Sequence, residues 1–298
     1  MFREMARESR RLDSTILRES TSGLVGKLHL LDGRYLKRAA VLLFHPDPER
    51  FVTGAFVKIG FFRTNTDLLY QDEIHGNLLT QADKTVDLLL TKYLKAGISY
   101  RGIQRVEAYP VPEAALREAV LNAVIHKDYA SGTPIQISVY PDKIMLWNPG
   151  ELPDGWTIAK LKGKHPSQPF NPDIAYAFFR AGLIEAWGRG IERILEACRL
   201  AQVPDPGLRY EKSGLWVEFL FPRAVETATT ETPVKTPVKT PVKILEALEQ
   251  KSEMTLAELA ATIGKSLRAV ERATARLVKE GKLRFVGPRK GGRWEVLK

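Results

Sequence analysis

Two polar side chains four residues apart, Glu118 and Asn122, have the types needed to aim a carboxylate and an amide at a metal-bound triphosphate. They lie in a segment, residues 113–129, whose apolar positions recur at helical spacing, and Pro112 is expected in the first turn. Four residues are about one helical turn, so both side chains leave the same side of the helix. The alternative is the polar edge of a solvated helix, and this segment alone does not decide between them.

The composition is that of a soluble globular protein with room for two or three domains. The chain has 298 residues, of which 44% are hydrophobic and 27% charged. The sequence shows neither a run of apolar residues long enough to span a membrane nor an apolar stretch after the basic N-terminal residues, so we expect a cytoplasmic protein. Cys198 is the single cysteine and the five histidines are scattered, so neither a disulfide framework nor a structural zinc is expected.

Positive charge is concentrated near the C-terminus. The net charge is +10, and residues 223–298 hold 16 Lys or Arg against 9 Asp or Glu, which contributes +7 of the total. A local positive field of this kind favours a polyanionic partner, and nucleic acid is the first candidate.

A repeat marks the clearest boundary. The tetrapeptide Thr-Pro-Val-Lys occurs three times after Glu231 and ends at Lys243. A proline at every fourth residue prevents helix and sheet ladders, so residues 223–243 are predicted to form an extended, semi-rigid linker. It would act as a tether or, alternatively, as a peptide-recognition motif.

Residues 244–298 are predicted to form three helices and a two-stranded hairpin. Thr255 and Glu258 have the spacing of a capping box that opens the second helix, which ends near Gly264. Ser266 is the expected N-cap of the third helix. Its inward positions are predicted to be Leu267, Val270, Leu277 and Val278.

This order of elements resembles the winged-helix family, which implies binding to double-stranded DNA. Arg268 and Arg272, one turn apart on the third helix, suit the major groove, whereas Lys290 and Arg293 suit phosphates or a minor groove. A two-fold pair of copies is expected from operator geometry. The alternative is a winged helix that contacts protein. The full set of expected DNA-binding residues is Lys265, Ser266, Arg268, Arg272, Arg276, Arg289, Lys290 and Arg293.

Residues 1–111 are predicted to form an α/β region that packs on the following domain. Two apolar runs, 39–45 and 55–62, have the character of buried strands, and residues 78–94 carry a helical period. No catalytic constellation was found in this part of the sequence.

Residues 112–222 contain short motifs in a fixed order. The helix with Glu118 is followed by a hairpin over 135–148, an Asn-Pro-Gly turn at 148–150, a segment rich in polar and turn residues at 154–172, and a helical segment at 173–180. A Gly-Arg-Gly turn at 188–190 and an alternating strand at 213–222 complete the order. The series resembles the ATP-binding (GHKL, or Bergerat) fold shared by gyrase, Hsp90, histidine kinases and MutL. The resemblance implies an α+β chain, in which a GHKL-like α/β sandwich precedes the winged helix-turn-helix.

The resemblance assigns roles residue by residue. Asn122 matches the asparagine that holds magnesium against the phosphates of ATP, and Glu118 matches the acid that orients the attacking water in hydrolysing members. His126 matches a basic phosphate contact, although a histidine in an ordinary hydrogen bond at a helix end is an equal alternative. The matches at the expected adenine and phosphate sites are Asn148, Gly150, Gly188 and Gly190.

Within that superfamily the chain resembles proteins described as predicted transcriptional regulators or RecG-related ATP-dependent DNA helicases. Such proteins usually begin with a Schlafen AlbA-like domain, so Met1 is interpreted as the tail of that region, in a truncated piece or a shortened natural form. Asn148 replaces the family's aspartate and Leu152 a second glycine, which bears on adenine selectivity. Gly264-Lys265-Ser266 does not form the phosphate loop of a helicase motor, so unwinding is not supported.

The sequence therefore predicts a DNA-binding regulator with an ATP- and magnesium-binding domain. Two alternatives stay open. One is a degenerate scaffold that binds no nucleotide and holds a dimer together, and the other is a slow ATPase with Glu118 as the base.

Overall fold

The computed structural model describes residues 1–101, 104–222, 240–288 and 292–297. The chain divides into two compact units, Met1–Val225 and Glu226–Lys298. Each unit has its own core of buried apolar side chains. The predicted α+β architecture is confirmed, because a mixed sheet with packed helices precedes a small helical unit with a hairpin.

The first unit contains eight described α-helices. They are α1 (Phe2–Ser9), α2 (Thr21–Lys27), α3 (Arg38–Phe44), α4 (Leu78–Leu88), α5 (Glu113–His126), α6 (Ile158–Lys162), α7 (Pro172–Arg180) and α8 (Gly190–Leu200). Short 3₁₀ turns occur at Ile16–Arg18 and Pro48–Arg50, and a π-helical turn, Leu89–Tyr93, extends α4.

Ten strands belong to the described part of this unit. They are β1 (Leu31–Asp32), β2 (Tyr35–Leu36), β3 (Val57–Thr64), β4 (Asp67–Ile74), β5 (Gly97–Arg101), β6 (Gln104–Ala108), β7 (Ile135–Val139), β8 (Lys143–Asn148), β9 (Gly207–Glu211) and β10 (Gly214–Leu220). Six of them form one sheet in the order β4-β3-β7-β8-β10-β9. All neighbours are antiparallel except β3 and β7, which are parallel. Strands from both sides of residue 112 thus share one sheet.

The prediction of a strand over residues 39–45 is wrong, because this run forms helix α3. A short apolar run has no clear period, and burial of Ala40, Leu42 and Leu43 in the core suits either element. The strand predicted from Ala55 is confirmed as β3. The helix predicted over 78–94 is confirmed as α4 with its π-helical extension.

Helix α5 lies inside the first unit rather than at its edge. Nine of its 14 residues are buried, including Glu118, so a solvated polar edge is not what the fold forms here. Its N-cap is Pro112, and its C-terminal carbonyl groups are held by the Asn171 side-chain amide, which donates to the carbonyls of Ile125 (2.8 Å) and Lys127 (2.7 Å). The helix contacts α4, α7, α8 and β8.

The second unit has the predicted order of elements. It consists of α9 (Thr240–Gln250), α10 (Leu256–Ile263), α11 (Leu267–Lys279), β11 (Leu283–Val286) and β12 (Arg293–Val296). The capping box is confirmed, since Thr255 and Glu258 bond reciprocally, and Gly264 ends α10 in the left-handed conformation. Helix α9 begins at Thr240, so the third Thr-Pro-Val-Lys repeat is helical and not part of an extended linker. A proline in the first turn of a helix loses no hydrogen bond, which is why the repeat allows this start. The preceding residues, 223–239, lie outside the described residues.

Candidate functional site

Glu118 projects from α5 toward α8 and is held in a buried position. Its side chain is 8% exposed, and its Oε2 lies 3.8 Å from Nη1 of Arg193. Burial raises the pKa of the carboxyl, and the nearby Arg193 and Arg117 lower it by less. Removal from water disfavours the charged form of this carboxyl, and the two arginines offset only part of that effect.

Asn122 lies one turn further along α5 and meets the first residue of α8. Its Nδ2 is buried and has no hydrogen-bond partner within the described residues. A Cβ placed on Gly190 would lie 2.6 Å from Nδ2 of Asn122 and 3.0 Å from Oε1 of Glu118. A side chain at position 190 would therefore displace the ends of these two side chains.

The seven residues predicted for the nucleotide site line one cavity of about 450 Å³. They come from α5, from the end of β8 and the turn that follows it, and from the turn before α8. Those residues are Glu118, Asn122, His126, Asn148, Gly150, Gly188 and Gly190. The tertiary structure thus brings together side chains that are separated by as many as 72 positions in the sequence.

Gly150 and Gly188 lie where backbone segments approach each other. At Gly150 a Cβ would lie 2.6 Å from the carbonyl oxygen of His126. Gly188 has a φ of 66°, and a Cβ there would lie 2.9 Å from the carbonyl oxygen of His165. A side chain would not fit at either position without moving backbone, both at Gly150, which is expected in the adenine turn, and at Gly188, which is expected to contact phosphate.

His126 is neutral in this environment. Burial, and to a lesser extent the charge of His165, lower its pKa to about 4. The uncharged ring is favoured here because burial removes the charged imidazolium from water. The neutral ring retains one N–H donor.

Asn148 is the last residue of β8 and presents an amide to the cavity. The residue is 6% exposed, and its strand is paired through Leu215 of β10. Gly214 packs on its backbone, since a Cβ there would lie 2.2 Å from the carbonyl oxygen of Asn148. An amide at this point offers one acceptor and two donors, whereas a carboxylate offers acceptors only.

The segment between β8 and α7 contributes cavity residues that the sequence did not single out. Trp156 and His165 contact each other with ring centroids 4.7 Å apart, and Nζ of Lys160 lies 4.9 Å from the Trp156 ring. Tyr210 of β9 and Ile194 of α8 also line the cavity. Because they are spread over several elements, no local spacing identifies them.

Acidic side chains outnumber basic ones in the described lining. Four carboxylates, Glu118, Glu151, Asp154 and Glu185, accompany one guanidinium, that of Arg189. A free triphosphate would be repelled by such a wall, whereas a triphosphate bound to a divalent cation would be repelled less.

The expected DNA-binding residues of the second unit lie on its surface where the structure describes them. Lys265, Ser266, Arg272, Arg276 and Arg293 are exposed. Arg276 bonds to Glu280 at 2.7 Å. The side chain of Arg268, and residues Arg289 and Lys290, lie outside the described residues.

Two details of α11 differ from the prediction. Leu267 and Val278 are 44% and 45% exposed, whereas the buried stripe contains Val270, Thr274 and Leu277. Positions 270, 274 and 277 share one face at helical spacing, and 278 lies about 100° away from 277. Ser266 occupies the N-cap position but makes no side-chain cap hydrogen bond.

Within the part of the chain that the structure describes, no helix is long and apolar enough to cross a membrane. The same residues include no group of three or more His, Cys, Asp or Glu side chains placed to hold a metal ion.

Comparisons with known proteins agree with these two units. Residues 132–219 match the family model described as the C-terminal part of putative ATP-dependent DNA helicase RecG, and residues 239–284 match a winged helix-turn-helix DNA-binding model. The first match includes Asn148, Gly150, Gly188 and Gly190, whereas Glu118, Asn122 and His126 precede it. No curated protein matches the chain.

A solved structure, the DIP2311 protein from Corynebacterium diphtheriae, has a similar fold. It superposes with a TM-score of 0.61 at 19% sequence identity, over 99% of this chain and 61% of that protein. The chain thus spans about three fifths of that protein's length. In chain order, residues 132–219 and 239–284 are thus similar to a RecG C-terminal ATPase-like domain and to a winged helix-turn-helix DNA-binding domain.

Proposed function

We propose that the protein is a cytoplasmic, DNA-binding transcriptional regulator whose cavity binds ATP with magnesium and thereby controls the winged helix. The observation that carries the nucleotide half is the convergence of the seven predicted residues on one cavity of about 450 Å³. That volume lies within the usual range for a small-molecule site.

In this proposal each side chain has a separate task. Oδ1 of Asn122 would hold magnesium, which supplies positive charge to the phosphates when it is bound. The N-terminus of α8 and the amides of the 188–190 turn would receive phosphate oxygens, and Arg189 adds a cation there. The Asn148 amide would bond to the base.

Calorimetry with ATP and magnesium tests the nucleotide half. We expect heat of binding for the parent protein and at least a ~10-fold loss of affinity in Asn122→Ala. The matched control is Asn65→Ala in the exposed turn between β3 and β4, which should bind like the parent. Absence of binding by the parent protein would remove this half of the proposal.

The DNA half rests on the matched winged helix and on the exposed basic residues of α11. We expect Arg272→Ala to weaken binding to duplexes selected by the protein from a random pool by about 1–3 kcal/mol, the usual worth of a good base contact. Arg63→Ala, an exposed arginine of the first unit, serves as the control. Equal affinities of all three proteins, measured by gel shift, would instead favour a protein-binding winged helix.

A second candidate function is a scaffold without nucleotide. Two observations favour it, namely the contact of Gly190 with Asn122 and the excess of carboxylates in the described lining. In that case calorimetry with ATP shows no heat of binding, and ATP does not change the affinity of the protein for DNA.

A further inference from the structure

The face of the six-stranded sheet opposite the cavity carries a continuous row of six side chains. Register pairs Glu73 with Lys58, Lys58 with Gln136, Gln136 with Trp147, Trp147 with Trp216, and Trp216 with Arg209. Their neighbours along the strands, such as Ile137, Leu146 and Val217, point to the buried side. We call these six residues the outer row, which runs from β4 at one edge of the sheet to β9 at the other.

The outer row is accessible and has tryptophans at its centre. The side chains of Glu73 and Lys58 are 40% and 41% exposed, and that of Arg209 is 59% exposed. Gln136 is exposed and both tryptophans are half-buried. The two indole rings lie 6.0 Å apart, and the Arg209 guanidinium lies 5.2 Å from the Trp216 ring. An aromatic centre with a charged rim is the composition of a protein interface.

The charge of this face argues against a nucleic acid as its partner. Three bases on the face each have an acid beside them, in the pairs Lys58–Glu73 (3.9 Å), Lys143–Glu218 (2.8 Å) and Arg209–Glu211 (3.4 Å). The charges therefore cancel, although the whole chain carries +10. A surface that binds polyanions would instead present several basic side chains without acidic side chains beside them.

The order of charges along the outer row is complementary to itself. A two-fold axis parallel to the strands reverses the row, so Glu73 would face Arg209 of a second copy. Lys58 would then face the second copy's Trp216, and Gln136 its Trp147. An axis along the row would place Glu73 against Glu73, which like-charge repulsion disfavours.

The geometry points to an isologous dimer in which the outer rows of two copies pack face to face, with the two-fold axis parallel to the strands between β7 and β8. Aligned sheets pack about 10 Å apart, a separation that side chains of this size fill. The lysine and tryptophan pairs add cation–π contacts. Such a dimer carries two winged helices, which goes beyond the proposed nucleotide control and does not depend on it.

Charge reversal in the full chain tests the dimer. Sedimentation equilibrium should show a dimer for the parent protein, and Glu73→Arg and Arg209→Glu should each weaken dimerisation at least ~10-fold by placing like charges together. The double variant restores both opposed pairs and should dimerise within about threefold of the parent protein. Arg63→Glu, a reversal near the end of β3 and outside the outer row, is the control.

Three results would overturn the proposal. They are a monomeric parent at every concentration measured, a dimer that neither single reversal weakens, and a double variant that stays monomeric while its circular dichroism is native. Binding of single-stranded polynucleotide by the parent protein, lost in Lys58→Ala, would also assign the face to another partner. Calorimetry with ATP on the same variants separates this test from the nucleotide proposal, since none of the reversed residues lines the cavity.

Discussion

Burial of Glu118 makes its ionisation depend on the folded state. The unfolded chain ionises this carboxyl near its ordinary pKa of 4.5, whereas burial raises the pKa in the folded protein. Below that ordinary value both states hold the proton, and the group does not affect stability. As the pH rises above it, the unfolded state ionises first, so the folded state loses relative stability.

Glu118→Gln should therefore stabilise the protein in a pH-dependent way. The amide has the same shape and cannot ionise, so we expect a higher melting temperature than the parent at neutral pH and an equal one below the ordinary pKa of 4.5. Thermal unfolding over a series of pH values measures this difference. The exposed Glu8→Gln is the matched control, and a gain that is the same at all pH values would contradict the assignment to ionisation.

At the scale of elements, the contact between α5 and the start of α8 determines the shape of the cavity. Gly190 touches the side-chain ends of both Asn122 and Glu118, and the backbone there does not have a positive φ, so an alanine would act only by displacing these two side chains. The sequence analysis predicts phosphate contact for this glycine, and the structure shows that it also leaves room for the Asn122 and Glu118 side chains.

Gly190→Ala is expected to destabilise the first unit by about 1–3 kcal/mol, because the new methyl group must displace the Asn122 amide. Gly26→Ala in α2 is the matched control. Its Cβ would lie 3.7 Å from Leu31, an ordinary contact, and alanine should stabilise that helix by about 0.5–1 kcal/mol. Urea unfolding followed by tryptophan fluorescence reports on this unit, which holds four of the five tryptophans. Equal stabilities of the two variants would contradict the packing argument.

Elements with strong local signals were predictable and those without were not. The β7–β8 hairpin has alternating residues around Pro141-Asp142, and α10 has its capping box, so both are confirmed where they were expected. Helix α3 was mistaken for a strand because seven apolar-rich residues contain too few turns to show a period. The exposed Leu267 and Val278 show the same limit at the ends of α11.

At the scale of the whole molecule, the proposed function requires that nucleotide binding and DNA binding be coupled. We expect ATP with magnesium to change DNA affinity by about 5- to 150-fold, the usual range of a coupling free energy of 1–3 kcal/mol. DNA must then change ATP affinity by the same factor. Fluorescence anisotropy of a labelled duplex, with and without nucleotide, measures the coupling.

Asn122→Ala is the control for this coupling, and its DNA affinity should not respond to ATP. If the parent protein binds ATP but its DNA affinity stays constant, the regulatory link is wrong while the cavity assignment stands. If neither binding nor coupling is found, the scaffold is the better description.

The sequence by itself determined what depends on neighbours within a few turns of the chain. Helical spacing placed Glu118 and Asn122 on one side of α5, alternation defined β7 and β8, and clustered charge marked the C-terminal unit as the basic one. Tertiary structure decided that Glu118 is buried, that His126 is neutral and that Gly190 meets Asn122. It also joined the outer row across six strands. These features arise from contacts between residues far apart in the chain, and local periodicity carries no record of which distant surfaces will exclude water from a side chain.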